Sequence, residues 1–375
     1  MNVIVAAGGT GGHINPALAI ADKLKSVFED TNILFIGSPD GLEARLVKRA
    51  GYDFSPVKMA GIQRRISLKS IKRNVKAVYY YMNAGRQVKK IFDEFKPDLV
   101  IGTGGYVTGT VLKCAVKAGI KTAIHESNSL PGVSVKVLCD KVDLVMVGSE
   151  DALKHLKSCK KSVVTGNPLR GEIKLMTRQE ARAELGLPDC MTVLSVGGSQ
   201  GAVHINEAAA QLLQWEQKKG NINHIHGFGK HGHDTFNALL EKCGVDKDNP
   251  HFRIREYIDN MYVCMCAADL IVTRAGAMTL TELTAVGRAS LLIPYPYAAE
   301  NHQYYNALTL QKANAGRIIK DADLSGQKLI DEVNEFCNNP SLLELMGENA
   351  ARLAEKNAAD KILKELIDLC GLSAQ

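Results

Sequence analysis

The chain has 375 residues, of which 46% are hydrophobic and 23% charged, an ordinary globular composition with length enough for two domains. No apolar run approaches the roughly 18 residues of a membrane-spanning helix, and the N-terminal apolar stretch lacks the preceding basic segment of a secretory signal. Nine cysteines without a CxxC pair indicate reduced thiols in a cytosolic protein and argue against a disulfide framework.

The formal net charge of +6 is unevenly distributed along the chain. Residues 1–166 carry 25 Lys and Arg against 14 Asp and Glu, a balance of +11; residues 167–375 carry 21 against 26, a balance of −5. A basic N-terminal half suits an anionic partner such as nucleic acid, lipid headgroups or a phosphorylated substrate. The alternative is a solvated surface without a partner, which charge alone does not exclude.

The N-terminal half alternates short apolar strands with helical patterns. A helix is predicted over Pro16–Val27. The predicted strands are Val3–Ala7, Ile33–Gly37, Leu99–Gly102, Thr122–His125 and Leu144–Val147. Continuous apolar runs separated by helices predict a parallel sheet that is covered on both faces.

The first glycine loop, Gly8–Gly12, follows a predicted strand and opens a helix. Glycines let the backbone approach a ligand closely, and a helix N-terminus offers free N–H groups to an anion such as phosphate. A dinucleotide-binding dehydrogenase would need glycine or alanine at Ile14 and an acidic residue where the second strand ends in Gly37 and Ser38. Both departures weaken the dehydrogenase interpretation.

His13 lies in the first turn of that helix, at the mouth of the loop. An imidazole near a helix N-terminus tends to stay neutral, as a general base must. A capping or packing histidine is an equally good interpretation of the pattern.

Residues 64–92 contain nine Lys and Arg and no acidic residue. Apolar and basic residues recur on opposite sides at helical spacing, which suits adsorption to an anionic membrane surface. An ordinary core-packing helix with a basic outer face fits the pattern about as well.

Two further polar segments follow predicted strands of this half. Glycines follow the strand at 101–106, and the strand Thr122–His125 runs into the polar series His125–Asn128. Buried polar groups need partners, so we expect residues 125–128 to form a ligand-facing loop.

The turn Gly166-Asn167-Pro168 is predicted to join the two domains, because the strand and helix alternation restarts after it. The second half repeats the strand, glycine loop and helix design at Gly197–Ala202, with Ser199 in the middle. Glycine loops at the ends of parallel strands in two domains would open toward one crevice.

The segment Leu270–Gly287 predicts a strand that ends at Thr273 and a helix that begins near Met278, with Glu282 in its first turn. There Glu282 either favours the helix dipole or accepts hydrogen bonds from two ribose hydroxyls.

Two acidic strings, Asp246–Asp248 and Asp321–Asp323, are interpreted as surface turns and not as a metal–diphosphate clamp. Four histidines cluster in the second half; they are His224, His226, His231 and His233. A metal site is possible there by composition, but a solvated loop is favoured, and no metal or other cofactor is expected.

Taken together, these motifs resemble the peptidoglycan N-acetylglucosaminyltransferases of glycosyltransferase family 28. The matching segments are GGTGGH at 8–13, GGYVTG at 104–109, HESNSLPG at 125–132, GNPLR at 166–170, GGSQGA at 197–202, EYIDNM at 256–261, TRAGAMTLTE at 273–282 and NHQYYNA at 301–307. They span nearly the whole chain. The sequence departs from the family pattern at Thr110, Ser127 and His302.

The resemblance implies an α/β fold of two Rossmann-like domains facing across a cleft, the GT-B type. It places the N-terminal domain at 1–166, the C-terminal domain at 167–351 and a final helix at 352–375 that returns to the N-terminal domain. It implies transfer of N-acetylglucosamine from UDP-N-acetylglucosamine to the 4-hydroxyl of an undecaprenyl-diphosphate-linked N-acetylmuramoyl-pentapeptide, with inversion. The expected location is the cytoplasmic face of the cell membrane, as a peripheral protein.

The resemblance also assigns roles to individual residues. His13 is the expected base. The expected contacts are Ile258 to uracil, Glu282 to ribose, Arg170, Ser199, Ala277, Met278 and Thr279 to the diphosphate, Asn128 and Gln303 to the sugar, and Thr10, Gly11 and Gly12 on the acceptor side.

Other functions remain open at this point. A diacylglycerol glucosyltransferase of the same fold would share the donor loops, and a UDP-N-acetylglucosamine epimerase would need no acceptor. Nucleic-acid binding fits the basic half but leaves the second set of glycine loops unexplained, so no nucleic-acid partner is expected.

Overall fold

The computed structural model describes residues 1–59, 83–171 and 176–372. It divides into two compact units: unit 1 comprises Met1–Gly171 and Glu355–Gln375, and unit 2 comprises Glu172–Ala354. Residues 64–82 of the predicted basic helix lie outside the described residues.

Unit 1 contains a sheet of seven parallel strands in the order β3-β2-β1-β4-β5-β6-β7. Its strands are β1 (Asn2–Ala6), β2 (Asn32–Gly37), β3 (Asp53–Pro56), β4 (Leu99–Gly102), β5 (Lys121–Glu126), β6 (Leu144–Val147) and β7 (Ser162–Val164). Its helices are α1 (Gly11–Val27), α2 (Leu42–Arg49), α3 (residues 83–95), α4 (Gly105–Lys117), α5 (Val133–Leu138), α6 (Glu150–Leu153) and the chain-terminal α15 (Ala358–Cys370).

Unit 2 contains six parallel strands in the order β10-β9-β8-β11-β12-β13. Its strands are β8 (Met191–Val196), β9 (Ile222–Gly227), β10 (Phe252–Arg255), β11 (Leu270–Thr273), β12 (Ala289–Leu292) and β13 (Gly316–Ile318). Its helices are α7 (Arg178–Glu184), α8 (Val203–Lys219), α9 (His233–Cys243), α10 (Met261–Ala267), α11 (Ala277–Val286), α12 (His302–Lys312), α13 (Gly326–Asn338) and α14 (Pro340–Arg352). The predicted pair of Rossmann-like α/β domains is confirmed.

Both sheets are buried on their two faces, which explains the continuous apolar runs. Successive side chains of a strand point to opposite faces. In β1, Ile4 packs in one core cluster of unit 1 and Val5 in the other, and all atoms of both side chains are buried. In β8, Val193 and Leu194 are divided in the same way between the two main clusters of unit 2.

The order of the strands fixes where a ligand can bind in each unit. The strand order changes direction between β1 and β4 in unit 1 and between β8 and β11 in unit 2. Open parallel sheets bind ligands outside the carboxyl ends of the strands at such a switch point. The segments that follow these four strands are therefore the first places to look for a site.

Helix α1 starts at Gly11, five residues before the predicted start at Pro16. The prediction was wrong because the glycine loop itself supplies the first helical turn. Pro16 is tolerated inside the helix, although its missing N–H leaves one backbone carbonyl without its usual partner.

The final helix, α15, packs on unit 1. Ile362, Leu363 and Leu366 are buried in the same cluster as the inner face of α1. Ion pairs from Lys23 to Asp360 (2.7 Å) and from Lys161 to Glu365 (2.6 Å) flank this contact. Burial of leucine and isoleucine side chains supplies most of the attachment, because exposed ion pairs contribute little.

Replacing Leu366, which is 1% exposed, with alanine is expected to lower the free energy of unfolding by about 2–5 kcal/mol. Urea denaturation followed by circular dichroism measures the change. Leu345→Ala is the matched control, since Leu345 is 51% exposed and should change stability by no more than about 0.5 kcal/mol. Equal effects of the two substitutions would show that α15 is not anchored by this side chain.

Candidate active site

In unit 1, the loop after β1 leads directly into the first turn of α1. Thr10 is the residue before the helix, and its carbonyl accepts from the backbone N–H groups of His13 (3.0 Å) and Ile14 (3.2 Å). The first amides of a helix have no acceptor within the helix, and the first turn of α1 contains no acidic residue. Gly11 and Gly12 therefore present amides and a partial positive charge to an anion.

His13 is half-buried, and its ring orientation follows from one hydrogen bond. Its Nδ1 lies 3.0 Å from the carbonyl oxygen of Gly8 and 3.5 Å from Thr10 Oγ1. Because a carbonyl can only accept, Nδ1 must carry the proton. The lone pair of the neutral ring then lies on Nε2, which is the tautomer that can accept a proton from a substrate hydroxyl.

The second glycine loop of unit 1, residues 103–105 after β4, lies against this imidazole. Gly104 has a φ of +111°, and a Cβ at this position would lie 2.5 Å from His13 Cδ2. Thr103 Oγ1 donates to the carbonyl of His13 at 2.8 Å, and Thr108 Oγ1 accepts from Gly104 N–H at 3.1 Å. A glycine is required at 104 both for the backbone conformation and for the space that His13 occupies.

Glu43 is a residue of this site that sequence analysis missed. It lies in the first turn of α2 and is 1% exposed. Its carboxylate accepts from the backbone N–H groups of Ser38 (3.0 Å) and Gly9 (3.2 Å). The sequence signals only an acidic residue at a helix start, and the contact with the first glycine loop depends on the pairing of β1 with β2.

The polar series at the end of β5 differs from its prediction. His125 is fully buried, and its Nε2 lies 3.0 Å from the carbonyl of Gly166. Burial lowers the pKa of His125, so the ring is neutral. Glu126 is also buried and accepts from the N–H and Nδ2 of Asn128, both at 2.9 Å. The prediction of a ligand-facing loop is therefore wrong for His125 and Glu126, which serve the fold and hold Asn128 in place.

Arg170 forms an ion pair within unit 1. Its Nε lies 2.8 Å from Asp22 Oδ2, and the other carboxylate oxygen of Asp22 accepts from the hydroxyl of Tyr52 at 2.6 Å. Asp22 is nine residues beyond His13 on α1, about 14 Å along the helix axis at the usual rise per residue. A diphosphate contact from Arg170 remains a prediction.

In unit 2, the loop after β8 approaches another backbone segment very closely. A Cβ at Gly201, whose φ is +86°, would lie 2.3 Å from the carbonyl oxygen of Phe228. Ser199 is exposed in this loop, and its carbonyl accepts from the N–H of Lys230 at 3.2 Å. Helix α8 follows without an acidic residue in its first turn.

Helix α11 begins with Ala277, Met278 and Thr279, whose amides are free of helical partners. Glu282 is its sixth residue and lies in the second turn, not the first as predicted, because the helix starts directly after Gly276. The helix dipole acts mainly within the first turn. Burial, and not the helix dipole, therefore sets the ionisation of Glu282, and it raises the pKa to about 7. The same carboxylate helps burial to raise the pKa of Tyr262.

Two further predicted residues lie beyond neighbouring strands of unit 2. The side chain of Ile258, after β10, is buried in the core, whereas its backbone N–H and carbonyl have no hydrogen bond within the described residues. Gln303 lies in the first turn of α12, and its Oε1 accepts from the N–H of Tyr295 at 2.9 Å. In a parallel sheet, residues that follow the strands share the carboxyl edge.

The two acidic strings differ in burial. Asp246 and Asp248 are exposed. Asp321, however, is largely buried and binds Arg274 and His204 (2.7 Å). Its interpretation as a surface turn was wrong, because its side chain links His204 of α8 to Arg274, which follows β11. Within the described ranges, no group of three or more His, Cys, Asp or Glu side chains is placed to hold a metal ion.

His224 and His226 are fully buried in β9, so the predicted solvated loop is wrong for these two residues. Ser195 Oγ lies 2.6 Å from His224 Nε2 and from His226 Nδ1, and His224 Nδ1 lies 2.6 Å from Glu216 Oε2. Burial lowers the pKa of His224 to about 3 and raises that of Glu216 well above its usual value. The network is a buried polar core, and His231 and His233 lie outside it.

Comparison with known proteins gives matches over nearly the whole chain. The model of the glycosyltransferase family 28 N-terminal domain matches residues 3–147, and that of the C-terminal domain matches residues 192–364. A protein of Thermoanaerobacter sp. (strain X514) is 41% identical over 365 residues, 97% of this chain and 98% of the relative. It is named UDP-N-acetylglucosamine--N-acetylmuramyl-(pentapeptide) pyrophosphoryl-undecaprenol N-acetylglucosamine transferase.

Two solved structures place the fold among known proteins. The crystal structure of Acinetobacter baumannii MurG has a TM-score of 0.77 and 26% identity, and the match covers 98% of this chain and 99% of that one. The crystal structure of a UDP-GlcNAc 2-epimerase from Neisseria meningitidis bound to UDP-GlcNAc has a TM-score of 0.63 and 14% identity, and the match covers 98% of this chain and 100% of that one, which shows a shared fold.

The raised pKa of Glu282 predicts a pH dependence of stability. A carboxyl group with a pKa raised from 4.5 to about 7 stabilises the fold below pH 4.5, and this contribution is lost as pH rises to about 7. Over this pH range the free energy of unfolding of Glu282→Gln should fall by up to about 3 kcal/mol less than that of wild type. Urea denaturation at pH 5 and pH 8 measures it, with the exposed Glu207→Gln as control. Equal declines in wild type and Glu282→Gln would contradict the assignment.

Proposed function

The chain belongs to glycosyltransferase family 28, and we propose that it transfers N-acetylglucosamine from UDP-N-acetylglucosamine to undecaprenyl-diphosphate-linked N-acetylmuramoyl-pentapeptide. The relative with 41% identity over nearly the full length carries the name of this activity. The structural observation that carries the proposal is the hydrogen bond from His13 Nδ1 to the Gly8 carbonyl at 3.0 Å. It leaves Nε2 as a base beside a helix N-terminus suited to a diphosphate.

Unit 2 supplies the residues for the donor. The backbone N–H and carbonyl of Ile258 pair with uracil, and the carboxylate of Glu282 accepts from the two ribose hydroxyls. Hydrogen bonds from hydroxyls favour the ionised carboxylate over the neutral form that burial favours. Nucleotide binding should therefore lower the pKa of Glu282 from its value of about 7.

The diphosphate is the leaving group, and charge develops on its β-phosphate as the sugar departs. The amides of Ala277, Met278 and Thr279 at the start of α11, together with the exposed Ser199 hydroxyl, supply donors to it. Such preorganised donors are often the largest contribution to catalysis. Gln303 is the proposed contact to the transferred sugar.

Unit 1 supplies the residues for the acceptor. Thr10, Gly11 and Gly12 offer the N-terminus of α1 to the lipid diphosphate. Asn128, also in unit 1, contacts the transferred sugar of the donor. His13 Nε2 takes the proton of the 4-hydroxyl while its oxygen attacks the anomeric carbon of the donor. A single displacement inverts this carbon and gives a β-1,4 linkage.

A lipid-linked acceptor places the reaction at a membrane, and we propose peripheral attachment at the cytoplasmic face. The excess of 11 positive charges in residues 1–166 supports attraction to anionic lipids. Nine of these basic residues lie in residues 64–92, most of which are outside the described part of the chain. No helix among the described residues is long and apolar enough to cross a bilayer.

The test is incubation of the pure protein with UDP-N-acetylglucosamine and a lipid-linked muramoyl-pentapeptide analogue, with measurement of released UDP. Release should require the acceptor. Turnover of the donor alone would support the epimerase, and equal release with diacylglycerol would support the glycolipid enzyme.

In this assay His13→Gln should lower kcat by about 10²–10⁴-fold because the proton acceptor is lost. The KM for UDP-N-acetylglucosamine should change little, since His13 makes none of the proposed contacts to the donor. His155→Gln is the matched control, because His155 is an exposed histidine of unit 1. Nearly unchanged turnover in His13→Gln would refute the assignment of the base.

A further inference from the structure

The peptide group between Gly8 and Gly9 is hydrogen-bonded on both sides. Its carbonyl oxygen, on Gly8, accepts from His13 Nδ1 at 3.0 Å. Its N–H, on Gly9, donates to Glu43 Oε2 at 3.2 Å. A single planar amide therefore lies between a buried carboxylate and the imidazole ring.

From this geometry we infer that Glu43 is a positioning residue for His13, acting through the Gly8–Gly9 peptide group. Hydrogen bonds in a chain polarise one another. Donation by the Gly9 N–H to a carboxylate increases the negative charge on the Gly8 carbonyl oxygen. That oxygen then holds the proton on Nδ1 more firmly and stabilises the imidazolium that forms when Nε2 accepts a proton.

The role is that of the aspartate in a Ser-His-Asp triad, which fixes the tautomer of the histidine and stabilises its charged form. Here an amide separates the two side chains, so the carboxylate acts at longer range. The inference rests on the proposed function, because only a general base gains from a stabilised imidazolium.

The surroundings of Glu43 support a charge held for this purpose. The carboxylate is almost fully buried, and among the described residues no Lys, Arg or His side chain forms an ion pair with it. Its charge is compensated by the amides of Gly9 and Ser38 and by the N-terminus of α2. Burial of an unpaired charge is costly, and a carboxylate suits this position because each of its two oxygens accepts from a different backbone N–H group.

Tyr106 of α4 is another titratable group beside this loop, with its Cε1 3.9 Å from where a Cβ of Gly9 would lie. Burial raises the pKa of its hydroxyl, which keeps it neutral near pH 7. Helix α15 also packs on α1, but its Asp360 pairs with Lys23, about 15 Å along α1 from His13. Glu43 is therefore the acidic group placed to act on the histidine.

The experiment compares Glu43→Gln with Asp40→Asn, which removes an exposed carboxylate from the same turn. Glu43→Gln should lower kcat by about 3-fold, with the KM for UDP-N-acetylglucosamine unchanged. The acid limb of its pH–rate profile should move to lower pH by about half a unit, because the imidazolium has lost its stabilising carboxylate. Glu43→Asp, which keeps the charge, should restore part of both effects.

A purely structural role would lower thermal stability and kcat without moving the acid limb, and that outcome would overturn the inference. Asp40→Asn should match wild type in every measurement.

A second measurement needs neither activity nor a variant that folds. In wild-type protein without substrates, the amide resonance of Gly9 should shift with pH at the midpoint at which the His13 ring takes up its proton. If the amide resonance of Gly9 does not shift at this midpoint, the inference is overturned even if the transferase activity is present. If the coupling is seen but no transfer occurs, the proposed function fails instead.

Discussion

The close approach of two glycine loops is the constraint on which the candidate site depends. A Cβ at Gly105 would lie 2.2 Å from the Gly8 carbonyl oxygen, and one at Gly104 would lie 2.5 Å from the imidazole of His13. Side chains at these positions would separate the loops. Their contact leaves the Gly8 carbonyl directed at Nδ1 and the ring against the second loop, so backbone packing sets the chemistry of the histidine.

In unit 2, a glycine loop is likewise in close contact with another backbone segment. A Cβ at Gly201 would lie 2.3 Å from the carbonyl oxygen of Phe228, close to the 2.2 Å between a Cβ at Gly105 and the carbonyl oxygen of Gly8. The loop ends in the N-terminus of α8. Helix α11 presents a second N-terminus after the neighbouring β11. Both helix starts lack acidic residues in the first turn. Unit 2 thus offers amides to an anion, whereas unit 1 adds a base.

Local sequence was sufficient for the two domains and for the glycine loops, because apolar runs, glycines and helix starts are encoded within a few residues. Contacts between segments that are distant in the sequence could not be predicted from these local patterns. Glu43, the Ser195–His224 pair and Asp321 acquire their roles only when strands pair and helices pack. The turn that holds Glu282 was misjudged because the pattern did not show that α11 starts directly after Gly276.

The most direct test of this account is the tautomer of His13 in the wild-type protein near neutral pH. Nitrogen-15 NMR of histidine-labelled protein, with the resonance identified by its absence in His13→Gln, distinguishes the two ring nitrogens. The account predicts a proton on Nδ1 and a lone pair on Nε2. A proton on Nε2 would contradict it, because the nitrogen assigned as the base would then be unable to accept one.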